Sequence, residues 1–250
     1  SISSQTTSCN ICPKGYYCYQ DNNNGTNNNN ATSIKKPCPK GYAAPNEGMS
    51  SCNPCTKSTN TIQGSVAINE GSVNCTLCSN GYYASISSQT TSCNICPKGY
   101  YCPSGKIIEC PKGTANNQEG RYTICDSCIK STSTITGTYA TSTKQTLCSS
   151  CTNGNYASID KQSSYCNTCP GGYYCPSGKI IKCPVGTYST GGAVSCIMCP
   201  GGSYSSTTGA SSCIKCSAGY YSNQGAASCT KCSTKYPNCK TCNNTQCIEC

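Results

Sequence analysis

Cysteine spacing constrains the fold of this chain more than any other feature. Of its 30 cysteines, 24 form twelve Cys-x-x-Cys pairs and six stand alone. Leu, Ile, Val and Phe together number only 24 of 250 residues, far below the ~20% at which chains build an apolar core. Covalent or metal cross-links must therefore supply the stability that apolar burial cannot.

The chain is a tandem array. Residues 1–18 read SISSQTTSCNICPKGYYC and recur unchanged at residues 85–102. We divide the chain into repeat 1 (residues 1–84), repeat 2 (85–157), repeat 3 (158–232) and a tail (233–250). Repeat 1 is longer because it holds a polar, Asn-rich insert of 19 residues (19–37), where repeat 2 has 7 residues between its equivalent cysteines. We expect this insert to be an exposed loop.

Local sequence predicts turns and short strands. Cys-Pro-x-Gly segments put Pro second and Gly fourth, which is typical of a type I β-turn; they lie at 12–15, 38–41, 96–99 and 183–186. Tyr, the only aromatic type present, commonly follows, and we expect its ring to cover the disulfides; a Tyr ladder for ligand stacking is the alternative. Alternation around Gly64 and Gly137 predicts β-ribbons at 59–68 and 131–143.

The predicted fold is therefore small, disulfide-rich and irregular all-β. We expect an elongated tandem array of β-turn and ribbon modules, without helices and without a single core, because no segment has helical periodicity. Residues 1–84, 85–157 and 158–232 would be successive repeats of this array.

The disulfide register follows from sequential closure along an array whose modules contact only their neighbours. The second cysteine of each pair closes on the next cysteine, since bonds within Cys-x-x-Cys would close strained small rings. Crossed pairing among Cys96, Cys102 and Cys110 remains an alternative, pairing in the tail stays open, and Cys9 and Cys250 are left unpaired. The register joins Cys12 with Cys18, Cys38 with Cys52, Cys55 with Cys75, Cys78 with Cys93, Cys96 with Cys102, Cys110 with Cys125, Cys128 with Cys148, Cys151 with Cys166, Cys169 with Cys175, Cys183 with Cys196, Cys199 with Cys213, and Cys216 with Cys229.

Zinc is the alternative to disulfides. Two sets of four cysteines have spacing suited to a four-cysteine zinc site. Three features favour disulfides instead. Many further Cys-x-x-Cys pairs occur at varied distances along the chain, six cysteines lie outside any such pair, and the chain has no His. We predict no metal and no cofactor. The two sets are Cys52, Cys55, Cys75, Cys78 and Cys125, Cys128, Cys148, Cys151.

Catalysis has little support in the sequence. With no His, a Ser or Cys nucleophile lacks its ordinary general base. The eight carboxylates, among them Glu109, Asp126 and Asp160, lie singly rather than in pairs. The sequence therefore predicts a protein that is not an enzyme and has no catalytic residues.

Cysteine usage predicts an extracellular or cell-surface location. The chain starts without Met and in mid-repeat, so we expect it to be a segment of a longer secreted protein, touching a membrane only through other parts of that parent. Four Asn-x-Ser/Thr sequons agree with secretion and predict attached glycans, at Asn24, Asn30, Asn74 and Asn243. We expect Asn24 and Asn30 to be the preferred sites, and the adjacent Cys75 to occlude Asn74.

Residues 183–232 resemble the ephrin-receptor-like (GCC2/GCC3) cysteine-rich repeat, whose loops are similar to tumour-necrosis-factor-receptor modules. They read CPVGTYSTGGAVSCIMCPGGSYSSTTGASSCIKCSAGYYSNQGAASCTKC. The tail together with Cys232, CSTKYPNCKTCNNTQCIEC, is similar to furin-like cysteine-rich repeats and to protist surface antigens. The resemblance implies an elongated extracellular rod of β-turn modules.

Three functions fit these features. We expect an extracellular structural repeat protein forming a rod, a strand of a surface coat, glycocalyx or filament, because identical repeats suit a lattice. The alternatives are a ligand-binding receptor ectodomain and an antigenic protist surface protein. The expected partners are copies of itself or other surface proteins. Nucleic acid is not expected, because the lysines are scattered singly rather than gathered into a patch.

Overall fold

The computed structural model describes residues 11–20, 33–85, 91–158, 163–243 and 245–250. In these residues the chain is nearly all-β, with 26 short strands paired as 13 two-stranded antiparallel sheets. Each strand pairs with its neighbour in the chain, so every sheet is a hairpin. The hairpins are β1(Tyr16–Gln20)/β2(Ser33–Pro37), β3(Tyr42–Ala43)/β4(Asn53–Pro54), β5(Ser65–Val66)/β6(Thr76–Leu77), β7(Tyr82–Ala84)/β8(Cys93–Ile95), β9(Tyr100–Tyr101)/β10(Ile108–Glu109), β11(Thr114–Ala115)/β12(Asp126–Ser127), β13(Thr138–Tyr139)/β14(Ser149–Ser150), β15(Asn155–Tyr156)/β16(Asn167–Thr168), β17(Tyr173–Tyr174)/β18(Ile181–Lys182), β19(Thr187–Tyr188)/β20(Ile197–Met198), β21(Ser203–Tyr204)/β22(Ile214–Lys215), β23(Tyr220–Tyr221)/β24(Thr230–Lys231) and β25(Thr241–Cys242)/β26(Cys247–Glu249).

Helical structure in the described residues is confined to three short turns. Two are 3₁₀ turns with the same Pro-Ser-Gly sequence, Pro103–Gly105 and Pro176–Gly178, and the third is the four-residue α-helix α1, Cys232–Lys235. The disulfide-rich, nearly all-β fold class is thus confirmed, with these turns as its only helical departures among the described residues.

The turn that starts most hairpins differs from the predicted one. The amide of Tyr16 donates to the carbonyl of Pro13 (3.2 Å), so the turn begins at the proline and not at the preceding cysteine. Gly15 then occupies the third position, with φ +83°. A positive φ at that position defines a type II turn, which explains the requirement for glycine there. The prediction was therefore wrong in turn type, and its register was off by one residue.

Fourteen disulfides cross-link the described residues, and the first twelve along the chain join the same cysteines as the sequential register. They close loops with sequence separations of 6 to 20 residues. In the tail the bonds cross, since Cys232 joins Cys242 and Cys239 joins Cys247. Cys250 is a free, exposed thiol.

The 19-residue loops do not form the predicted internal ribbons. Only Ser65–Val66 of the first loop is a strand, and it pairs beyond the loop with Thr76–Leu77. The second loop behaves alike, because Thr138–Tyr139 pairs with Ser149–Ser150. Each loop therefore contributes one strand to a hairpin that is completed beyond its closing cysteine.

The described residues form two compact units. The first comprises those up to Cys110 together with Asn116–Cys125, and the second comprises Pro111–Ala115 and those from Asp126 to Cys250. Neither holds a core of large apolar side chains. Apart from Asn116, the largest fully buried side chains are cysteines, and the other buried apolar residues are mostly alanines. Disulfide sulfur therefore takes the place that Leu, Ile and Phe hold in ordinary domains.

Candidate functional site: an interlocked row of hairpins

Successive hairpins are tied together by reciprocal backbone hydrogen bonds. In the first unit, the amide of Gly41 in one turn donates to the carbonyl of Ala67 (2.9 Å), and the amide of Gly71 donates back to the carbonyl of Cys38 (2.8 Å). In the second unit, the amide of Gly186 donates to the carbonyl of Ser205 (2.8 Å), and the amide of Gly209 donates back to the carbonyl of Cys183 (2.8 Å). We call this repeated arrangement the glycine interlock. It joins each turn to the hairpins that follow it.

The interlock also needs close backbone contact. A Cβ atom on Gly186 would collide with the carbonyl oxygen of Gly225, and one on Gly172 would collide with that of Gly209. Since the collisions are with backbone, no side-chain rotation relieves them. Gly202 has the same turn position and a φ of +83°, yet a Cβ there would have no atom within 4 Å. Glycine is thus favoured by conformation at the hairpin-starting turns with a positive φ and is required for space at some of them.

Two serines, which sequence reasoning missed, lock the 19-residue loops. Ser131 is 2% exposed; its hydroxyl donates to the carbonyl of Gly178 (2.7 Å) and accepts from the amide of Ala157 (2.8 Å). In the first unit Ser58 bridges Gly105 (2.6 Å) and Ala84 (2.7 Å) in the same way. The recurrence of Lys-Ser three residues after Cys55 and Cys128 was the available sequence signal.

The second strand of most hairpins forms an exposed outer edge. Both residues are exposed in β4, β6, β12, β14, β20, β22 and β24. On neighbouring hairpins of the second unit this edge is apolar, because Ile197, Met198 and Ile214 are more than half exposed. Residues of this kind usually lie inside a protein, so we call these three residues the apolar edge.

The tyrosines that follow the turn glycines are mostly half-buried. Tyr16 and Tyr173 each lie beneath a lysine of the partner strand, with the Nζ atoms of Lys35 and Lys182 at 4.3 Å and 6.0 Å from the ring centroids. Tyr82 and Tyr220 are more exposed, at 43% and 42%. These rings therefore offer scattered cation–π contacts rather than a continuous ladder. Their role as covers of the disulfides stays a prediction.

The sequons differ in what the structure says of them. Asn24 and Asn30 lie outside the described residues. Asn74 is exposed, so the expected occlusion by Cys75 is wrong. Asn243 is also exposed, and its Oδ1 accepts hydrogen bonds from the amides of Thr245 and Gln246, each at 2.8 Å.

The cysteines of the zinc alternative are engaged in disulfides. Cys55 is bonded to Cys75, whereas Cys52 and Cys78 are bonded to cysteines outside the proposed set. The second set follows the same pattern, because Cys128 is bonded to Cys148, whereas Cys125 and Cys151 are bonded to cysteines outside the set. Neither set of four therefore presents free thiolates to a metal ion.

A cavity of about 510 Å³ lies between the last regular hairpin, β23/β24, and the tail. It is lined by neutral groups, including two aromatic rings. The residues with the most evident binding capacity are Tyr220, Tyr221, Ser222, Thr241 and Asn243. Across the described part of the chain, no helix has the length and apolar character that would span a bilayer.

The family model described as "Tyrosine-protein kinase ephrin type A/B receptor-like" matches residues 186–219. This segment holds two of the interlocked hairpins, β19/β20 and β21/β22, and ends just before the first strand of β23/β24. The chain therefore contains an ephrin-receptor-like cysteine-rich repeat, as the sequence of this stretch predicted. A search of the curated proteins finds no match to the chain.

Proposed function

We propose that this chain is a structural repeat segment of an extracellular protein and forms one strand of a surface coat, glycocalyx or filament. The observation that carries the proposal is the recurrence of one interlock, with the same donors and acceptors, in both compact units. A lattice benefits from the same surface at every period, whereas a receptor usually diversifies its modules to build one specific site.

Disulfide content supports the extracellular part of the proposal. The described residues hold fourteen disulfides. Disulfides persist in oxidising compartments and are rare in cytosolic proteins. The ephrin-receptor-like repeat agrees, since the matched family describes receptors. No enzymatic activity is proposed, because the chain has no His and its regular features are all architectural.

The apolar edge supports assembly with copies of the chain or other surface proteins. Exposed strand edges that bear apolar side chains are suited to lateral contacts between chains. When such edges repeat along one direction, the contacts join different surfaces of neighbouring chains and can extend into a filament. The attached glycans that the sequons predict would keep the remaining surface soluble, given that only 10% of residues are charged.

Electron microscopy and light scattering of the secreted, oxidised chain test this proposal. We expect concentration-dependent association with a regular spacing between contacts. A chain that stays monomeric at millimolar concentration would contradict the assembly role.

The cavity beside the tail favours a second candidate, a ligand-binding receptor ectodomain. Neutral polar groups and two tyrosine rings form a surface suited to a small uncharged ligand. This function predicts one saturable partner per chain, whose binding is abolished by Tyr220→Ala. A glycan on Asn243 would stand at this cavity, so glycosylation there opposes the receptor function. An antigenic surface protein remains compatible with either candidate.

A further inference from the structure

The disulfides provide a short covalent route along the chain. Between Cys12 and Cys229 there are 217 residue steps, and 157 of them lie inside the twelve sequential disulfide loops. A pulling force passes through the sulfur atoms and leaves those loops without load. Only 60 steps carry tension through the backbone.

This route sets an upper limit on extension. Sixty backbone steps at ~3.5 Å each, together with twelve Cα–Cα spans of 5.6 to 5.9 Å, give about 280 Å. The same segment without disulfides would reach about 760 Å, because all 217 steps would then bear load. Unfolding of hairpins inside the loops adds nothing to the oxidised length.

The load-bearing steps are unevenly distributed. Within most of the chain, consecutive loops are separated by the three steps of a Cys-x-x-Cys pair. Twenty of the 60 steps lie between Cys18 and Cys38, across the Asn-rich insert. The equivalent stretches of repeats 2 and 3, after Cys102 and Cys175, have eight steps each.

The insert is closed by the longest hairpin of the described residues, β1/β2, with five residue pairs. Tension enters this hairpin at Cys18 and leaves it at Cys38. Both cysteines lie on the same side of the two last residue pairs, Tyr19–Ile34 and Gln20–Ser33, and this side is the open end at which the pairs separate. Force applied at the open side separates antiparallel strands one pair at a time, so each hydrogen bond is loaded singly. These pairs therefore open under tension without any disulfide being broken.

We propose that the chain is a load-bearing tether whose extension is limited by its sequential disulfides, with the insert 19–37 as its principal reserve of length. The proposal rests on the structural function above and deepens it, since a strand of a surface coat must transmit tension. It concerns the single chain and does not require self-association.

Single-molecule force spectroscopy on the full oxidised chain, held between marker domains, tests the tether. We expect the sequential part to stop lengthening at about 280 Å, with opening of the insert releasing up to about 70 Å. Adding dithiothreitol in excess should increase the total contour length by at least about 480 Å. An oxidised chain that extends as far as the reduced one would overturn the proposal.

Two variants isolate the insert. Replacing residues 19–37 by residues 103–109 of repeat 2 should shorten the oxidised contour length by about 42 Å. Removing residues 22–31 keeps all five pairs of β1/β2 and should shorten it by about 35 Å. Intact mass after alkylation verifies that each variant has formed its disulfides. Unchanged contour lengths would refute the role of the insert, whereas a loss of self-association with normal mechanics would contradict only the coat function.

Discussion

Gly186 and Gly202 occupy the same position of the same type of turn, yet an added side chain would meet different surroundings. Alanine at either site must adopt a positive φ, at a cost of about 1–2 kcal/mol. Gly186→Ala would also collide with the Gly225 carbonyl, whereas Gly202→Ala has open space. We expect thermal unfolding of the oxidised chain to show a clearly larger decrease in Tm for Gly186→Ala. Equal decreases would argue against close packing in the interlock.

Ser131 provides a second test at the residue scale. Ser131→Ala removes the hydroxyl that accepts from the buried Ala157 amide, whereas the Gly178 carbonyl keeps the hydrogen bond that the amide of Gly137 donates to it (3.0 Å). We expect a loss of about 1–3 kcal/mol in the free energy of unfolding, measured by urea denaturation. Ser133→Ala is the matched control, because Ser133 lies in the same loop but is exposed. Similar losses for both variants would contradict the bridging role of Ser131.

The sugar prediction also concerns individual residues. Because Asn74 and Asn243 are both exposed, we expect glycans at both in material secreted from eukaryotic cells. Glycopeptide mass spectrometry with Asn74→Gln and Asn243→Gln variants checks each site, and each variant should lose one glycan. Unmodified asparagine at both positions of the parent chain would contradict the prediction.

At the scale of the strand, the apolar edge can be changed without altering the hairpins. Ile197, Met198 and Ile214 are exposed, so replacing all three by Thr should change stability by less than about 1 kcal/mol. We expect the triple variant to associate less than the parent in sedimentation experiments. Ser149→Thr with Ser150→Thr, on the equally exposed strand β14, is the control and should associate as the parent does. Unchanged association of the triple variant would place the contact elsewhere.

Sequence reasoning reached the hairpin array but not its details, for identifiable reasons. Loop closure is local, so spacing was sufficient to propose the pairs from Cys12 to Cys229. In the tail, Cys232, Cys239, Cys242 and Cys247 lie so close together that crossed and sequential bonds close similar loops, and spacing does not distinguish them. The partners of the 19-residue loops lie beyond the next cysteine, where a local pattern carries no signal.

For the whole molecule, the proposed rod has a measurable consequence in solution. A 250-residue globule has a radius of gyration of about 18 Å. Small-angle scattering of the oxidised monomer should give a substantially larger value, because the residues that the structure describes contain no shared core of large apolar side chains to draw distant hairpins together. A value near that of a globule would reject the rod.

The sequential closure of the loops also bears on how such a chain is made. Each of the twelve sequential disulfides joins cysteines no more than 20 residues apart, so both partners leave the ribosome within a few seconds at about 5–20 residues per second. A hairpin can thus be oxidised and locked while downstream repeats are still being synthesised. Folding time then does not grow with repeat number, which allows duplication to lengthen the array without creating a slower-folding protein.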